Sequence, residues 1–179
     1  MTDSHKVSFD IRLTPKDILN LNLQHQKKSL VISFFVYWLL FAVVVLANSV
    51  PLDGLTITVA ALGGAGVGAL ITVLMYLFIV FRSNRIYQSD VMLQYNQSYT
   101  FSDAGISVVS DSGTSHINWK EIFKITESKA LICIYVGSNR ALILPKATIS
   151  NQLPQGVAAL KLILTANIAK DRLKLRKAS

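Results

Sequence analysis

Few residues of this 179-residue chain have the types and spacing that a reaction requires. Paired carboxylates would suit general acid–base catalysis, and a cluster of His and Cys would suit a metal ion. The ten Asp and Glu residues instead fall mostly at predicted caps, turns or surface strand positions. The three histidines, His5, His25 and His116, are widely separated. The sequence therefore predicts no catalytic residue, no metal site and no cofactor.

Two further features resemble reactive sites, and each has a structural explanation. Cys133 lies in the apolar segment 130–136, where a buried thiol is expected rather than a nucleophile. The glycine-rich segment 63–68 resembles a phosphate-binding loop but lacks the Gly-Lys-Ser/Thr ending of that motif. It also lies within a long apolar segment, where small residues favour helix packing. We therefore expect a protein without enzyme activity.

The composition indicates a membrane protein. Hydrophobic residues make up 51% of the chain, and the mean hydropathy is +0.44. Charged residues make up only 16%, against about 25% in soluble domains. The net charge of +8 suits anionic lipid and membrane topology better than nucleic acid, because the basic residues are dispersed and no nucleic-acid-binding motif occurs. Membrane lipid is thus an expected partner, and nucleic acid is not.

Two segments are long and apolar enough to cross a bilayer. Residues 29–50 contain no Asp, Glu, Lys, Arg or His, and residues 55–81 contain no ionisable residue except Tyr76. About 20 apolar residues cross the hydrocarbon core of a membrane. Buried helices of a soluble core seldom run this long without a charge, and a signal peptide has a shorter apolar core. The short connection at 48–54 predicts an antiparallel hairpin of two transmembrane helices.

The charges beside these segments predict their orientation. Lys27 and Lys28 precede the first segment, Arg82 and Arg85 follow the second, and the connection at 48–54 has neither Lys nor Arg. Since cytoplasmic flanks of membrane helices carry an excess of Lys and Arg, both termini are predicted to be cytoplasmic.

Small residues at intervals of four predict a helix-packing face on the second segment. These residues are Ala60, Gly64 and Gly68. Such a face allows another helix to approach closely. The first segment of the same chain is one candidate for that helix. A second copy of the chain or a partner subunit is the other.

The remaining sequence predicts an α+β cytoplasmic domain. Residues 7–13 alternate apolar and polar side chains, as a half-buried strand does, and must pair with strands beyond the second apolar segment. Thr14 and Pro15 then suit the start of a helix. We divide the chain into a strand–helix segment at 1–28, the hairpin at 29–81 and a sheet domain at 82–179.

Short strands separated by turns predict one meandering antiparallel sheet in the last of these domains. The second transmembrane helix is expected to continue to about Asn96, and Ser102 to Gly105 form a turn. The predicted strands after that helix run from about 95 to 101, 106 to 110, 114 to 118, 123 to 127, 131 to 136 and 140 to 144.

The chain is predicted to end in an amphipathic helix that starts near Gln155. Its apolar face contains Val157, Leu160, Ile163, Leu164 and Ile168. Five basic residues lie in its expected last turns, and they suit either a solvated helix end or contact with anionic lipid: Lys170, Arg172, Lys174, Arg176 and Lys177.

Three segments resemble the YcxB-like family: residues 99–106 (YTFSDAGI), 117–125 (INWKEIFKI) and 141–146 (ALILPK). Many members of that family combine a strand–helix segment, two transmembrane helices and this C-terminal domain. The resemblance implies a pleckstrin-homology-like fold, a bent antiparallel sheet capped by a C-terminal helix. It brings no catalytic residue.

Within these segments, the residue types suggest structural roles. Trp119 is expected to be a core anchor with a partner for its N–H. Pro145 ends a strand, because it has no backbone donor. Lys146 is expected to be exposed or to contact a partner.

These features predict a non-enzymatic interaction or regulatory module anchored in the bacterial cytoplasmic membrane. The alternatives are an anionic-lipid sensor that uses the C-terminal basic residues, and an accessory subunit of a membrane transporter that uses the small-residue face. A homo-oligomer formed through the second helix also agrees with the sequence.

Overall fold

The computed structural model describes residues 6–49, 53–138 and 140–175, and the chain divides into two units. The hairpin unit runs from Leu21 to Arg85. The sheet unit combines the N-terminal segment up to Asn20 with the chain from Ile86 onward. The chain therefore passes from the sheet unit into the hairpin unit and back again, and each of these two boundaries lies within a long helix.

The first helix, α1, extends over Pro15–Ala47, so the predicted N-terminal helix and first apolar segment form one continuous helix. The predicted start is confirmed. The Asp17 carboxylate accepts hydrogen bonds from the Thr14 backbone N–H at 2.9 Å and from the Thr14 hydroxyl at 2.6 Å. An acid in the first turn also suits the positive end of the helix dipole.

The second helix, α2, extends over Gly54–Ser89. The Asp53 carboxylate accepts a hydrogen bond from the Thr56 N–H at 2.8 Å, which caps its start. The helix ends well before the predicted Asn96. The reason is local: the Asp90 side chain accepts from the Met92 N–H at 3.0 Å and starts a separate 3₁₀ turn at Val91–Gln94.

The first sheet contains four antiparallel strands in the order β1-β2-β3-β4. The N-terminal strand pairs with β2, which lies beyond the second long helix, so the predicted pairing is confirmed. Phe9 and Ile11 of β1 and Phe101 of β2 are buried on the same face. The strands are β1 Val7–Ile11, β2 Gln97–Ser102, β3 Gly105–Ser110 and β4 Gly113–Ile117.

A second sheet follows, in the order β7-β6-β5-β8, and its β5–β8 pair is parallel. The predicted α+β unit with an antiparallel sheet is therefore confirmed, but the prediction that all the strands form one meander is wrong. A 3₁₀ turn at Trp119–Glu121 and the fully buried Ile122 separate β4 from β5, so these neighbours in sequence do not pair. The strands are β5 Lys124–Glu127, β6 Leu131–Tyr135, β7 Ala141–Pro145 and β8 Leu173–Lys174.

Two helices connect the sheets. Helix α3, Lys146–Gln152, was not predicted and contacts both β1 and β7. Helix α4, Gly156–Asn167, contacts β1 and β2. A Cβ atom at Gly156 would lie 2.9 Å from the Phe9 ring, so this close approach requires glycine.

The apolar face predicted for the C-terminal helix is confirmed in its centre. Leu160, Ile163 and Leu164 are buried, and so is Ile168 just past the helix end, whereas Val157 is half-buried. The buried side chains of the sheet unit thus come from both sheets and from α3 and α4.

Candidate functional site

The small-residue face of α2 packs against α1 of the same chain. Ala60, Gly64 and Gly68 are buried. A Cβ atom at Gly64 would lie 2.9 Å from the Trp38 carbonyl oxygen, and one at Gly68 would lie 2.9 Å from that of Phe34. The predicted packing against the first segment of the same chain is therefore present, and contact with a second copy or a partner subunit stays a prediction.

Two polar contacts also join the helices of the hairpin unit. The Trp38 indole N–H donates to the Ala61 carbonyl at 3.0 Å. The Asn22 amide donates to the Ser83 hydroxyl at 2.8 Å, and this hydroxyl donates to the Ile79 carbonyl at 2.7 Å. Ser83 is fully buried, so its hydroxyl needs both partners. These contacts and the small residues hold the two helices together.

Lys170, Arg172 and Lys174 do not lie on the C-terminal α-helix, in contrast to the prediction. Helix α4 ends at Asn167, where the Ile168 N–H donates a hydrogen bond to the Leu164 carbonyl. Lys170 and Arg172 lie in a 3₁₀ turn, and Lys174 lies in β8. The two remaining predicted residues, Arg176 and Lys177, lie outside the described residues.

Strand β8 brings these cations to the edge of the second sheet. The Arg172 Nη1 group donates to the Ile122 carbonyl at 3.2 Å, and Lys174 pairs with Thr126 of β5. Because register partners point to the same face of a sheet, Lys174 and Thr126 share a face with Lys124, two residues earlier on β5. The Lys124 ammonium lies 4.6 Å from the centre of the Tyr135 ring and 5.7 Å from that of Phe123.

We call Lys120, Phe123, Lys124, Arg172 and Lys174 the basic–aromatic patch. Phe123 has 57% of its surface exposed, and Lys120, Arg172 and Lys174 are also exposed. Phe123, Lys120 and Lys124 were not predicted as site residues. The available signal was the repeated aromatic–lysine pair, Trp119-Lys120 and Phe123-Lys124.

A shallow groove of about 420 Å³ lies beside the patch, lined by Ala104, Asn118, Trp119, Lys120 and Glu121. Trp119 is half-buried rather than a core anchor, because the 3₁₀ turn lifts it out of the sheets. The predicted partner for its N–H is confirmed, since this group donates to the Ser102 and Asp103 carbonyls at 3.1 Å each.

Among the described acids of the sheet unit, Glu127 is buried, in contrast to the surface position expected of most acids. Glu127, at the end of β5, has only 1% of its side chain exposed. Its Oε1 atom accepts from Lys161 Nζ of α4 at 2.7 Å and from Lys146 Nζ at the start of α3. Lys146 is therefore a partner of a buried carboxylate and only 20% exposed. This cluster ties the second sheet to both bridging helices.

Cys133 and His116 lie in different sheets and in different surroundings. Cys133 is fully buried in β6, and burial raises the pKa of its thiol to about 11. His116 Nδ1 lies 3.1 Å from the Ser107 hydroxyl on an exposed edge of the first sheet, and His5 lies outside the described residues. Among the described residues, no group of three or more His, Cys, Asp or Glu could hold a metal ion.

The comparisons with known proteins support one assignment. The model of a family described as YcxB-like protein matches residues 101–160. These residues extend from β2 into α4 and include strands β5, β6 and β7 of the second sheet. No curated protein and no solved structure matches the chain. The resemblance predicted from the sequence is thus confirmed over residues 101–160, which are similar to the YcxB-like family.

Proposed function

We propose that this chain is a multi-pass protein of the bacterial cytoplasmic membrane, in which α1 and α2 span the bilayer. The sheet unit is then a cytoplasmic, non-enzymatic interaction or regulatory module. The pleckstrin-homology-like character inferred from the sequence belongs to this proposal.

The observation that carries membrane insertion is the exposure of the two long helices. Both contain a stretch of 18 residues that is apolar enough to cross a membrane. None of this stretch is buried in α1, and 17% of it is buried in α2. A core helix of a soluble protein buries most of such a stretch. Large side chains such as Ile32, Leu62 and Phe78 are each more than half exposed. An apolar surface of this extent needs lipid around it.

A cleaved signal sequence fits these contacts poorly. Cleavage after α1 would remove β1, which pairs along its whole length with β2. It would also expose Phe101 and Tyr99, which are buried next to β1. The N-terminal segment is thus part of the folded sheet unit.

Labelling of single cysteines tests insertion and orientation together. We expect the full-length chain to stay in membranes after alkaline carbonate extraction. Asp53→Cys should react with a membrane-impermeant maleimide in intact cells, because the connection between α1 and α2 is expected outside. Val109→Cys, on β3, should react only after permeabilisation. Release by carbonate, or the reverse labelling pattern, would contradict the proposal.

An interaction module should have a partner that depends on the folded sheet unit. We expect affinity capture of the full-length chain in mild detergent to return a specific protein. Phe101→Asp places a charge at a fully buried position of β2 and should unfold the sheet unit while leaving α1 and α2 in place. A partner lost in this variant binds the sheet unit. Repeated capture without a specific partner would argue against a protein-binding role.

The second candidate function is sensing of anionic lipid, and the charge distribution favours it. Residues 120–175 contain nine Lys and Arg against three Asp and Glu, a net charge of +6. Residues 86–119 contain three Asp and no Lys or Arg, a net charge of −3. The positive charge is therefore concentrated in the second sheet and its helices, as attraction to an anionic surface requires.

A further inference from the structure

We infer that the basic–aromatic patch docks on the anionic surface of the membrane that holds the chain, with Phe123 entering the interface between head groups and acyl chains. This inference rests on the proposed membrane insertion. It deepens the lipid-sensing candidate, because it names the surface and the residues that contact lipid.

The first argument is the exposure of Phe123. Among the described residues outside α1 and α2, it is the only aromatic side chain that is largely exposed. Its neighbours Ile122 and Ile125 are fully buried, so the 3₁₀ turn and β5 hold the exposed ring on a rigid support. An aromatic ring on such a support, bordered by cations, is typical of contact with a membrane interface.

The second argument is the placement of the cations around this ring. Lys124 and Lys174 share one face of the second sheet, and Arg172 is fixed by its bond to the Ile122 carbonyl. The Lys124 ammonium lies near the centres of two aromatic rings rather than at a carboxylate. Its positive charge therefore remains available to an anion that approaches the patch.

Two acids lie close to the patch in sequence and reduce its charge without cancelling it. Glu121 accepts a hydrogen bond from the Asn118 amide at 3.1 Å, and Asp171 lies in the 3₁₀ turn with Lys170. The four cations of the patch and Lys170 outnumber these two acids. Anionic head groups, which present many charges on one plane, match this arrangement better than a single small anion does.

The test uses the full-length chain in lipid nanodiscs. Phe123→Cys carries an environment-sensitive fluorophore, and a quencher is placed on the lipid head groups. Cys133 is buried and protonated near neutral pH, so the wild-type chain provides the labelling blank. Val109→Cys is the matched control, because Val109 is an exposed apolar residue of the first sheet.

We expect the fluorescence of the label at position 123 to be quenched in discs that contain anionic phosphatidylglycerol. The fluorescence should recover in purely zwitterionic discs or at high salt. The ratio of docked to undocked protein should fall about fivefold each for Lys124→Gln and Lys174→Gln, since each removes one cation near the surface. Lys129→Gln, which removes an exposed lysine between β5 and β6, should leave the ratio unchanged.

The outcomes separate this inference from the proposed function. Protein that remains in discs while the label at 123 responds equally to both lipid compositions overturns the inference alone. Shielding of the label only by an added soluble protein, whatever the lipid charge, would make the patch a protein interface and also overturn it. Failure of the chain to enter discs would contradict membrane insertion itself.

Discussion

Glu127 is the only charged residue among those described that is buried, and two lysines of separate helices bind its Oε1 atom. A buried carboxylate is tolerated only when it is paired, because removal from water strongly disfavours an isolated charge. The cluster therefore fixes where α3 and α4 meet β5. Neither lysine is near Glu127 in sequence, so the burial and pairing of this carboxylate could not be predicted from the residues around it.

Glu127→Gln is expected to lower the free energy of unfolding of the sheet unit by about 2 kcal/mol. The loss lies below that for a fully buried pair, since Lys146 and Lys161 are 20% and 27% exposed and can turn to solvent. Urea unfolding in detergent measures this change. The matched control is Glu121→Gln, an exposed position where a change within about 0.5 kcal/mol is expected. Equal effects of the two substitutions would show that the buried cluster does not stabilise the unit.

Cys133 should be nearly inert in the folded protein. Burial raises the pKa of its thiol from 9.0 to about 11, so at pH 8 roughly a hundredfold less thiolate is present than in the unfolded chain. Because the folded state binds this proton more tightly, the stability that Cys133 contributes is complete below pH 9 and is lost as the pH rises towards 11.

Rates of iodoacetamide labelling before and after denaturation measure this protection. The Val109→Cys chain, which carries an exposed thiol as well, provides the reference rate. Fast labelling of Cys133 in the native protein would contradict the buried position of β6.

At the level of single elements, the close approach of α1 and α2 requires glycine at positions such as Gly64 and Gly68, which face α1, and does not require it at Gly66. A Cβ atom at Gly64 would meet both the carbonyl and the ring of Trp38, whereas one at Gly66 would meet nothing within 4 Å. Both positions lie on the same helix, so a leucine at either one adds the same apolar side chain to it.

Gly64→Leu should therefore separate the helices and destabilise the hairpin by about 1–3 kcal/mol or more, while Gly66→Leu should have little effect. Emission from Trp38 in a Trp119→Phe background reports the helix contact directly. If Gly64→Leu changed the oligomeric state but left the Trp38 emission unchanged, the intramolecular packing would be wrong.

The elements that the sequence predicted well are those with strong local signals. The start of α1 follows from Thr14, Pro15 and Asp17, and the turns before β3 and β4 follow from Gly105 and Gly113, whose φ angles are positive. Residues 29–50 and 55–81 were recognised because an unbroken apolar run needs no tertiary information.

The elements that were missed depend on distant partners. Helix α3 has the sequence KATISNQ, with a low proportion of strong helix formers, and its contacts with β1 and β7 stabilise it. Strand β8 has only two residues and exists because it pairs with β5, about 48 residues earlier. The basic–aromatic patch forms from this pairing, so neither the patch nor the division into two sheets could be read from local sequence.

The whole chain is organised so that the sheet unit is discontinuous in sequence, with the hairpin unit between β1 and β2. Phe9 of β1 packs 6.3 Å from Phe101, and the Gln152 side chain accepts a hydrogen bond from the Asp10 N–H at 3.0 Å and donates to the Asp10 carbonyl. Gln152 thereby covers the free edge of β1. Both contacts would be lost without the N-terminal segment.

Residues 86–179 alone are therefore expected to fail to fold, because Phe101 and Gly156 would lose the Phe9 side chain that they pack against. A chain that joins residues 6–20 to 86–179 through a long flexible linker should recover protease resistance and a cooperative unfolding transition. In that joined chain, Phe9→Ala should lower the free energy of unfolding by about 3–5 kcal/mol. Lys6→Ala, at an exposed position of the same segment, is the control. Cooperative unfolding of residues 86–179 alone would show that β1 is dispensable and that the sheet unit does not depend on both sides of the hairpin.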